Sequence, residues 1–258
     1  MKSADFAAAA PAELLAPPQW LQIDFLSDLH LGPQTPATLA ALRRHLLDTT
    51  AQAIFLLGDI FEVWIGDDAR TQPFEAECLS ILRDASRHAA IFFMAGNRDF
   101  LVGRDFLDDC QIQGLADPTS LFAFGDRWLL SHGDAQCLAD LPYQAFRSKV
   151  RSQPWQAEFL ALPIEQRQTL ARQMRDASQA SQASNPVLVD LDEQCCIQML
   201  EQAGSTQLIH GHTHRPATHS LAPGMQRHVL SDWDFDCPKP RGDLLRLSSS
   251  GLQRIQLG

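Results

Sequence analysis

A surplus of positive charge is missing. The chain has 21 Lys and Arg against 31 Asp and Glu, a formal net charge of −10. Proteins that hold nucleic acid through its phosphates show a basic footprint, so general nucleic-acid binding is excluded. Long apolar runs are also absent; none approaches the roughly 18 residues that would span a bilayer. The first 18 residues are rich in Ala and Pro (Pro11, Pro17, Pro18) and contain no apolar core of the kind a signal peptide carries. Residues 1–19 are therefore expected to be a disordered leader. The six cysteines are scattered with no C-x-x-C pair, which excludes a zinc ribbon or disulfide frame and fits reduced thiols in a cytoplasmic protein. No internal repeat of fixed period is found.

What is present is enough apolar material for a core, 45% of residues. Residues 20–258 are read as one domain, with a helical insertion at about 140–186. Continuous apolar runs at 53–57 and 90–94, and a shorter one at 21–26, have the composition of strands buried on both faces. Helical spacing marks 36–50 and 72–88. Residues 121–124 and 128–131 form a hairpin around Gly125-Asp126. A helix runs from Asp190 or Asp192 to about 203, followed by a strand at 207–209. Four short strands follow near 217–221, 226–230, 243–247 and 252–257. Trp64 and Ile65, in the apolar loop after 53–57, read either as core or as the lining of an entrance.

Each strand-like run ends in a loop of metal-competent residues. Asp28-Leu29-His30 leaves the first, Gly58-Asp59 the second and Gly96-Asn97-Arg98-Asp99 the third. His132-Gly133-Asp134 leaves the hairpin, and His210-Gly211-His212-Thr213-His214 the strand at 207–209. Taken singly each has a plain reading: clustered loop histidines are often merely solvated, and Asp-x-His is also a helix cap beside a stray His. Five in this order, all at strand ends where open α/β sheets bind ligands, point to one site. Imidazole and carboxylate suit first-row divalent metals. The seven residues Asp28, His30, Asp59, Asn97, His132, His212 and His214 exceed the needs of one ion and suit two, with one carboxylate shared. Such a pair lowers the pKa of a hydroxide held between the ions and neutralises phosphoryl oxygens.

The insertion differs in character. Between 143 and 175 six basic residues meet two acidic ones, with Phe146, Val150, Trp155, Phe159, Leu160 and Leu162 as apolar surface. It reads either as an ordinary solvated helical insert or as a cap for something anionic and greasy.

Asp-x-His, Gly-Asp, Gly-Asn, His-Gly-Asp and Gly-His-x-His, in that order, resemble the calcineurin-like metallophosphoesterases. The resemblance implies a four-layer α/β/β/α metallophosphoesterase sandwich. It implies that Asp59 bridges two ions, with Asp28, His30 and His214 on one and Asn97, His132 and His212 on the other, and with Asp59, Asn97 and His132 catalytic. His210 falls outside the pattern and is taken as a supporting residue. Longer matches, including Phe61-Glu62-Val63-Trp64-Ile65-Gly66-Asp67-Asp68 and Tyr143-Gln144-Ala145-Phe146-Arg147, resemble the branch of that family that hydrolyses UDP-2,3-diacylglucosamine in lipid A synthesis. That branch cleaves at the α-phosphorus, uses manganese and works at the cytoplasmic face of the inner membrane as a peripheral protein. A lipid-linked nucleotide sugar is thus the implied substrate. Asn97, Arg98, Asp140, Ser178 and His212 would contact it, with Tyr143 near by and the insertion holding its acyl chains while its basic charge faces diphosphate or lipid headgroups.

This chain departs from the branch where Gln182 and Asn185 stand in place of an Asn and a Lys, which puts one phosphate contact in doubt. Arg98 stands where the wider superfamily has a His. Arginine stays protonated, so it can clamp phosphate but cannot donate a proton to a leaving group. A metallophosphoesterase acting on a soluble nucleotide or phosphodiester, and a non-catalytic scaffold on the same fold, are the competing readings.

Overall fold

The computed structural model describes residues 11–184 and 190–257, with side chains described outside 176–189. Two six-stranded sheets stack on each other. The first has the order β12-β11-β2-β3-β4-β5, and the second β1-β6-β7-β8-β10-β9. In the first sheet, β2 (Gln22–Leu26), β3 (Ala53–Leu57), β4 (Ala90–Met94) and β5 (Gln113–Leu115) run parallel. β11 (Asp243–Ser248) and β12 (Gly251–Gln256) close one edge antiparallel. In the second sheet, the hairpin of β6 (Thr119–Ala123) and β7 (Asp126–Ser131) lies beside β8 (Gln207–His210), β10 (Met225–Val229) and β9 (Ala217–Ala222).

The continuous apolar runs are explained by burial on both faces. In β3, Ala53, Phe55 and Leu57 point between the sheets, while Ile54 and Leu56 point to the helices outside. Phe55 stacks on Phe25 and on Phe92, with ring centroids 5.2 and 4.6 Å away, so the inter-sheet core is pinned by aromatic area that alternates by the strand period of two. α1 (Pro36–Asp48), α2 (Pro73–Ser86) and α3 (Arg104–Cys110) cover the outer face of the first sheet. α4 (Leu141–Val150), α5 (Gln153–Leu160) and α6 (Ile164–Ser184) make up the inserted helices. α7 (Glu193–Ala203) covers the outer face of the second sheet through Cys196 and Leu200 against Leu129 and Leu208. The layers are α/β/β/α. Among the described residues no helix is long and apolar enough to cross a membrane.

Several expectations change. The stretch read as a disordered leader contributes β1 (Ala12–Leu15), an edge strand parallel to β6. Its four residues carry no periodic signal, and the strand exists because β6 offers it a ladder. α3 and β5 were not read from the sequence; each is short. The basic excess of the insertion does not mainly face outward. Arg147 pairs with Asp134, Arg167 with Asp68 and Arg175 with Glu62, while Arg151 donates to the Gly96 carbonyl. Lys149 and Arg172 remain exposed. Trp64 is buried, tilted against Phe61 and edge-on to Phe106, with its Nε1 donating to Asp67.

Asp24 is a charge set inside the first sheet. It is fully buried in β2 and accepts two hydrogen bonds from Arg246, at 2.7 and 2.8 Å, and one from Thr49. Burial opposes its ionisation, but Arg246, His45 and Thr49 hold its carboxyl below the usual range. A group depressed in this way stabilises the fold above its unfolded value of 3.8, and that contribution is lost as pH falls through the depressed one. Asp24→Asn is therefore expected to cost about 3 kcal/mol near pH 7, and the gap to wild type should narrow below pH 3.8. Urea denaturation across that range checks both; a gap that widens in acid would contradict the pairing.

Candidate metal centre

The carboxyl ends of β2, β3, β4, β7 and β8 meet at one edge of the sandwich. They deliver Asp28 and His30, Asp59, Asn97, His132, and His212 and His214 in turn. Five of these seven have left-handed backbones: Asp28, His30, Asp59, His212 and His214, with φ between 48° and 66°. Only Gln111 and Phe124 share that conformation among the other non-glycine residues described. Each such residue costs on the order of 1 kcal/mol and persists only where its surroundings over-determine it.

The surroundings are visible. Asp28 N–H donates to Gly58 O and His30 N–H to Asp59 O, both at 3.0 Å, so the first two loops are laced together. Asp99 is fully buried and accepts the backbone N–H groups of Gly96, Asp59, Ile60 and Phe61, at 2.7 to 3.3 Å. Asp28 accepts from Ser27 Oγ and from the His212 N–H, tying the first loop to the fifth. Two glycines make the close approach possible. A Cβ on Gly96 would strike Asp59, and one on Gly211 would strike Asp28 and Ser27.

The side chains form two groups. Asp28, His30 and His214 offer ligand atoms within 4.8 Å of one another, as do Asp28, Asp59 and His132. Asp28 belongs to both, whereas the resemblance gives the shared place to Asp59. Asn97 Oδ1 lies 3.0 Å from His132 Nε2 and 2.8 Å from His212 Nδ1. His30 Nε2 faces His214 Nε2 at 3.3 Å, and His214 Nε2 is 3.2 Å from Asp28 Oδ1.

This donor set fits a divalent cation. His132 Nδ1 donates to the Leu57 carbonyl at 2.9 Å, which leaves Nε2 turned toward Asn97 and, at 3.5 Å, Asp59 Oδ1. That nitrogen faces oxygens and must carry either a proton or a metal. Burial would lower the His132 pKa, but Asp59, Asp28 and Asp134 push it up to about 9. The field that draws the proton draws a cation equally. His30 Nδ1 lies 3.2 Å from Glu62 Oε2, a carboxylate behind an imidazole of the kind that orients metal-binding histidines. Burial and His132 lower His212 to about 4, so it is neutral and ready to ligate.

His210 is not part of either group. It is the last residue of β8, its Nδ1 donates to Gly211 O, and burial pushes it down to about 3. Arg98 sits at the site through its backbone N–H, which donates to Asp59 Oδ1 at 2.8 Å. Its Nε is buried with no partner among the described residues. Tyr143 lies beside His212, ring centroids 6.0 Å apart, and its hydroxyl donates to Asp134 at 2.6 Å. Asp140 caps α4 by accepting the Tyr143 N–H, so at least one of its oxygens has a structural task. Ser178, Gln182 and Asn185 lie outside the residues whose side chains are described. Asp99, Glu62 and Ser27 went unread in the sequence. Asp99 and Glu62 close or follow quoted motifs, but a bare acidic residue in a loop carries no local sign that it binds four backbone amides or backs a histidine.

A sandwich with this centre at its strand ends defines a metal-dependent phosphoesterase, and the chain belongs to the calcineurin-like phosphoesterase family, whose model matches residues 21–216. Its curated relatives narrow the comparison to one enzyme. The chain is 40% identical over 241 residues to the UDP-2,3-diacylglucosamine hydrolase of Ralstonia nicotianae, covering 88% of this chain and 90% of that one. The proteins of the same name from Bordetella parapertussis and Chromobacterium violaceum are 41% and 39% identical. They cover 93% and 92% of this chain, and 95% and 100% of their own lengths.

Metal must displace the proton on His132. Below its pKa of about 9 that proton stabilises the metal-free protein, so divalent-metal affinity should fall as pH is lowered and binding at neutral pH should release protons. Calorimetry in buffers of different ionisation enthalpy measures this; a binding enthalpy independent of buffer would refute it.

Proposed function

We propose that the protein hydrolyses the diphosphate of UDP-2,3-diacylglucosamine at the α-phosphorus, releasing UMP and 2,3-diacylglucosamine 1-phosphate, a step of lipid A biosynthesis. The observation that carries the reading is the convergence of Asp28, His30, Asp59, His132 and His214, with Asn97 and His212 hydrogen-bonded among them and the Arg98 backbone N–H on Asp59, in a chain about 40% identical to enzymes named for that substrate.

The proposal takes the cofactor as two manganese ions. One would be held by Asp28, His30 and His214 and the other by Asn97, His132 and His212, with Asp59 between them and Asp28 close to both. Divalent cations at such a pair lower the pKa of a water and neutralise phosphoryl oxygens. The chain supplies the rest. The Arg98 guanidinium would present to a phosphate a buried Nε that has no partner among the described residues. It has no proton to give, and the departing sugar phosphate, leaving from an anhydride, does not need one. The Tyr143 hydroxyl is committed to Asp134, and burial together with Asp134 raises its pKa above the ordinary phenol range, so it is no acid either. What Tyr143 offers is its ring.

Room for acyl chains exists between the last inserted helix and the segment after β3. A groove of about 570 Å³ is lined by Val63, Trp64, Ile65 and Phe74 on one side and Gln168, Ala171 and Arg172 of α6 on the other. We place the acyl chains between the inserted helices and the core, and the protein as a peripheral one at the cytoplasmic face of the inner membrane. The exposed Leu141, Phe146 and Leu160 of the inserted helices support contact with lipid.

UMP release from UDP-2,3-diacylglucosamine in detergent with manganese is the test. Wild type should turn over, and His132→Ala should lose more than about 100-fold. Turnover confined to soluble phosphodiesters would move the function to the soluble-substrate reading. Arg98→His should lose about 100-fold in kcat/KM; unchanged turnover would remove its role as a clamp.

A further inference from the structure

One buried carboxylate near the centre belongs to neither metal group. Asp134 follows His132 by two residues and its side chain is fully buried. Its Oδ2 accepts from Tyr143 Oη at 2.6 Å and from Arg147 Nε at 2.8 Å, and lies 3.9 Å from Arg151 Nη2. Its Oδ1 has no partner among the described residues. Its backbone carbonyl accepts from Gln144 Nε2 at 2.9 Å. Tyr143, Arg147 and Arg151 are spaced by four, so they share one face of α4. That face is bound to the His132 loop through Asp134. It is bound to the Asn97 loop as well, where Arg151 donates to Gly96 O at 2.8 Å and lies over the Phe100 ring.

We propose that Asp134 is a positioning residue that latches the first inserted helix to the metal centre and so fixes where the substrate sits, without touching metal or substrate itself. Side chains 143, 147 and 151 turn toward one carboxylate, and that carboxylate rides on the loop that presents His132. The position of the helix and the position of the metal-binding loop are therefore set by the same group. A carboxylate serving only local folding would not need three long side chains from a separate helix. The Tyr143 ring is the lever: with its hydroxyl fixed by Asp134, its face is held 6.0 Å from the His212 ring. In Asp134→Asn the site loses the charge that holds Arg147 and Arg151 while keeping an acceptor for Tyr143.

The kinetic arm rests on the lipid-linked substrate reading; the exchange arm does not. Asp134→Asn is expected to fill with manganese at saturating concentration as wild type does, with affinity weakened by the charge it removes near His132, and to raise KM for UDP-2,3-diacylglucosamine about tenfold, within ordinary coupling between sites, with kcat held within about a factor of two. Amide hydrogen exchange should accelerate over residues 141–151 and not over the strands. Arg147→Gln should give the same pattern and add little in the double variant. Failure to fill at saturating manganese, an equal fall in kcat, unaltered exchange over 141–151, or fully additive variants would each overturn the latch. If Asp134→Asn does not fold, Arg147→Gln and Arg151→Gln read the same coupling from the partly exposed side. If wild type releases no UMP, the substrate reading fails, and exchange over 141–151 still decides the latch.

Discussion

Five side chains at this centre stand on left-handed backbones, and such a set survives only if something else holds the loops. Asp99 does most of the holding. One buried carboxylate accepts four backbone N–H groups from two different loops, so Asp59 and Asn97 are fixed by the same atoms. Burial first, and then the neighbouring Asp59 charge, push the Asp99 carboxyl up to about 6; the backbone amides pull the other way. The metal-competent groups are thus arranged by hydrogen bonds already in place within the protein, and a cation would meet a preformed set of oxygens and nitrogens. That is the usual condition for a site that does chemistry without reorganising.

The inserted helices depend on a second kind of constraint, ion pairs at their feet with at least one member of the main pairs buried. Arg167 is only 2% exposed and is held by Asp68 and by the carbonyls of Ile65 and Leu162. It anchors α6 to the loop after β3. Arg147 and Arg151 anchor α4 to the loops after β7 and β4. A charged pair contributes little on a surface, but removing one member of a buried pair leaves an uncompensated charge. These contacts therefore set the attitude of the insertion more than they raise the stability of the whole.

The candidate site was legible in the chain to an unusual degree because its residues sit directly after apolar runs. A strand buried on both faces reads as a continuous run, and whatever follows it emerges at the same sheet edge. Asp28, Asp59, Asn97, His132 and His212 could be collected on that rule alone. The rule says nothing of acidic residues whose partners lie far along the chain. Asp99 gathers amides 38 to 40 residues away, and Glu62 backs a histidine 32 positions earlier. The basic residues of the insertion stayed between a solvated and a ligand-facing reading for the same reason: charge counts do not reveal a buried partner.

Sequence alone determined the buried strand runs and the residue types at their ends, because hydrophobic periodicity and the short motifs are local properties, and the α/β/β/α layering followed from the family resemblance those motifs carry. Tertiary structure decided the rest. It made a strand of residues 12–15 by giving them an edge to pair with, drew Asp28 into both metal groups, and turned Arg147, Arg151, Arg167 and Arg175 from an apparent ligand-facing charge into anchors. In each case the deciding energy is a contact between distant segments, and such a contact has no signature until the chain has folded.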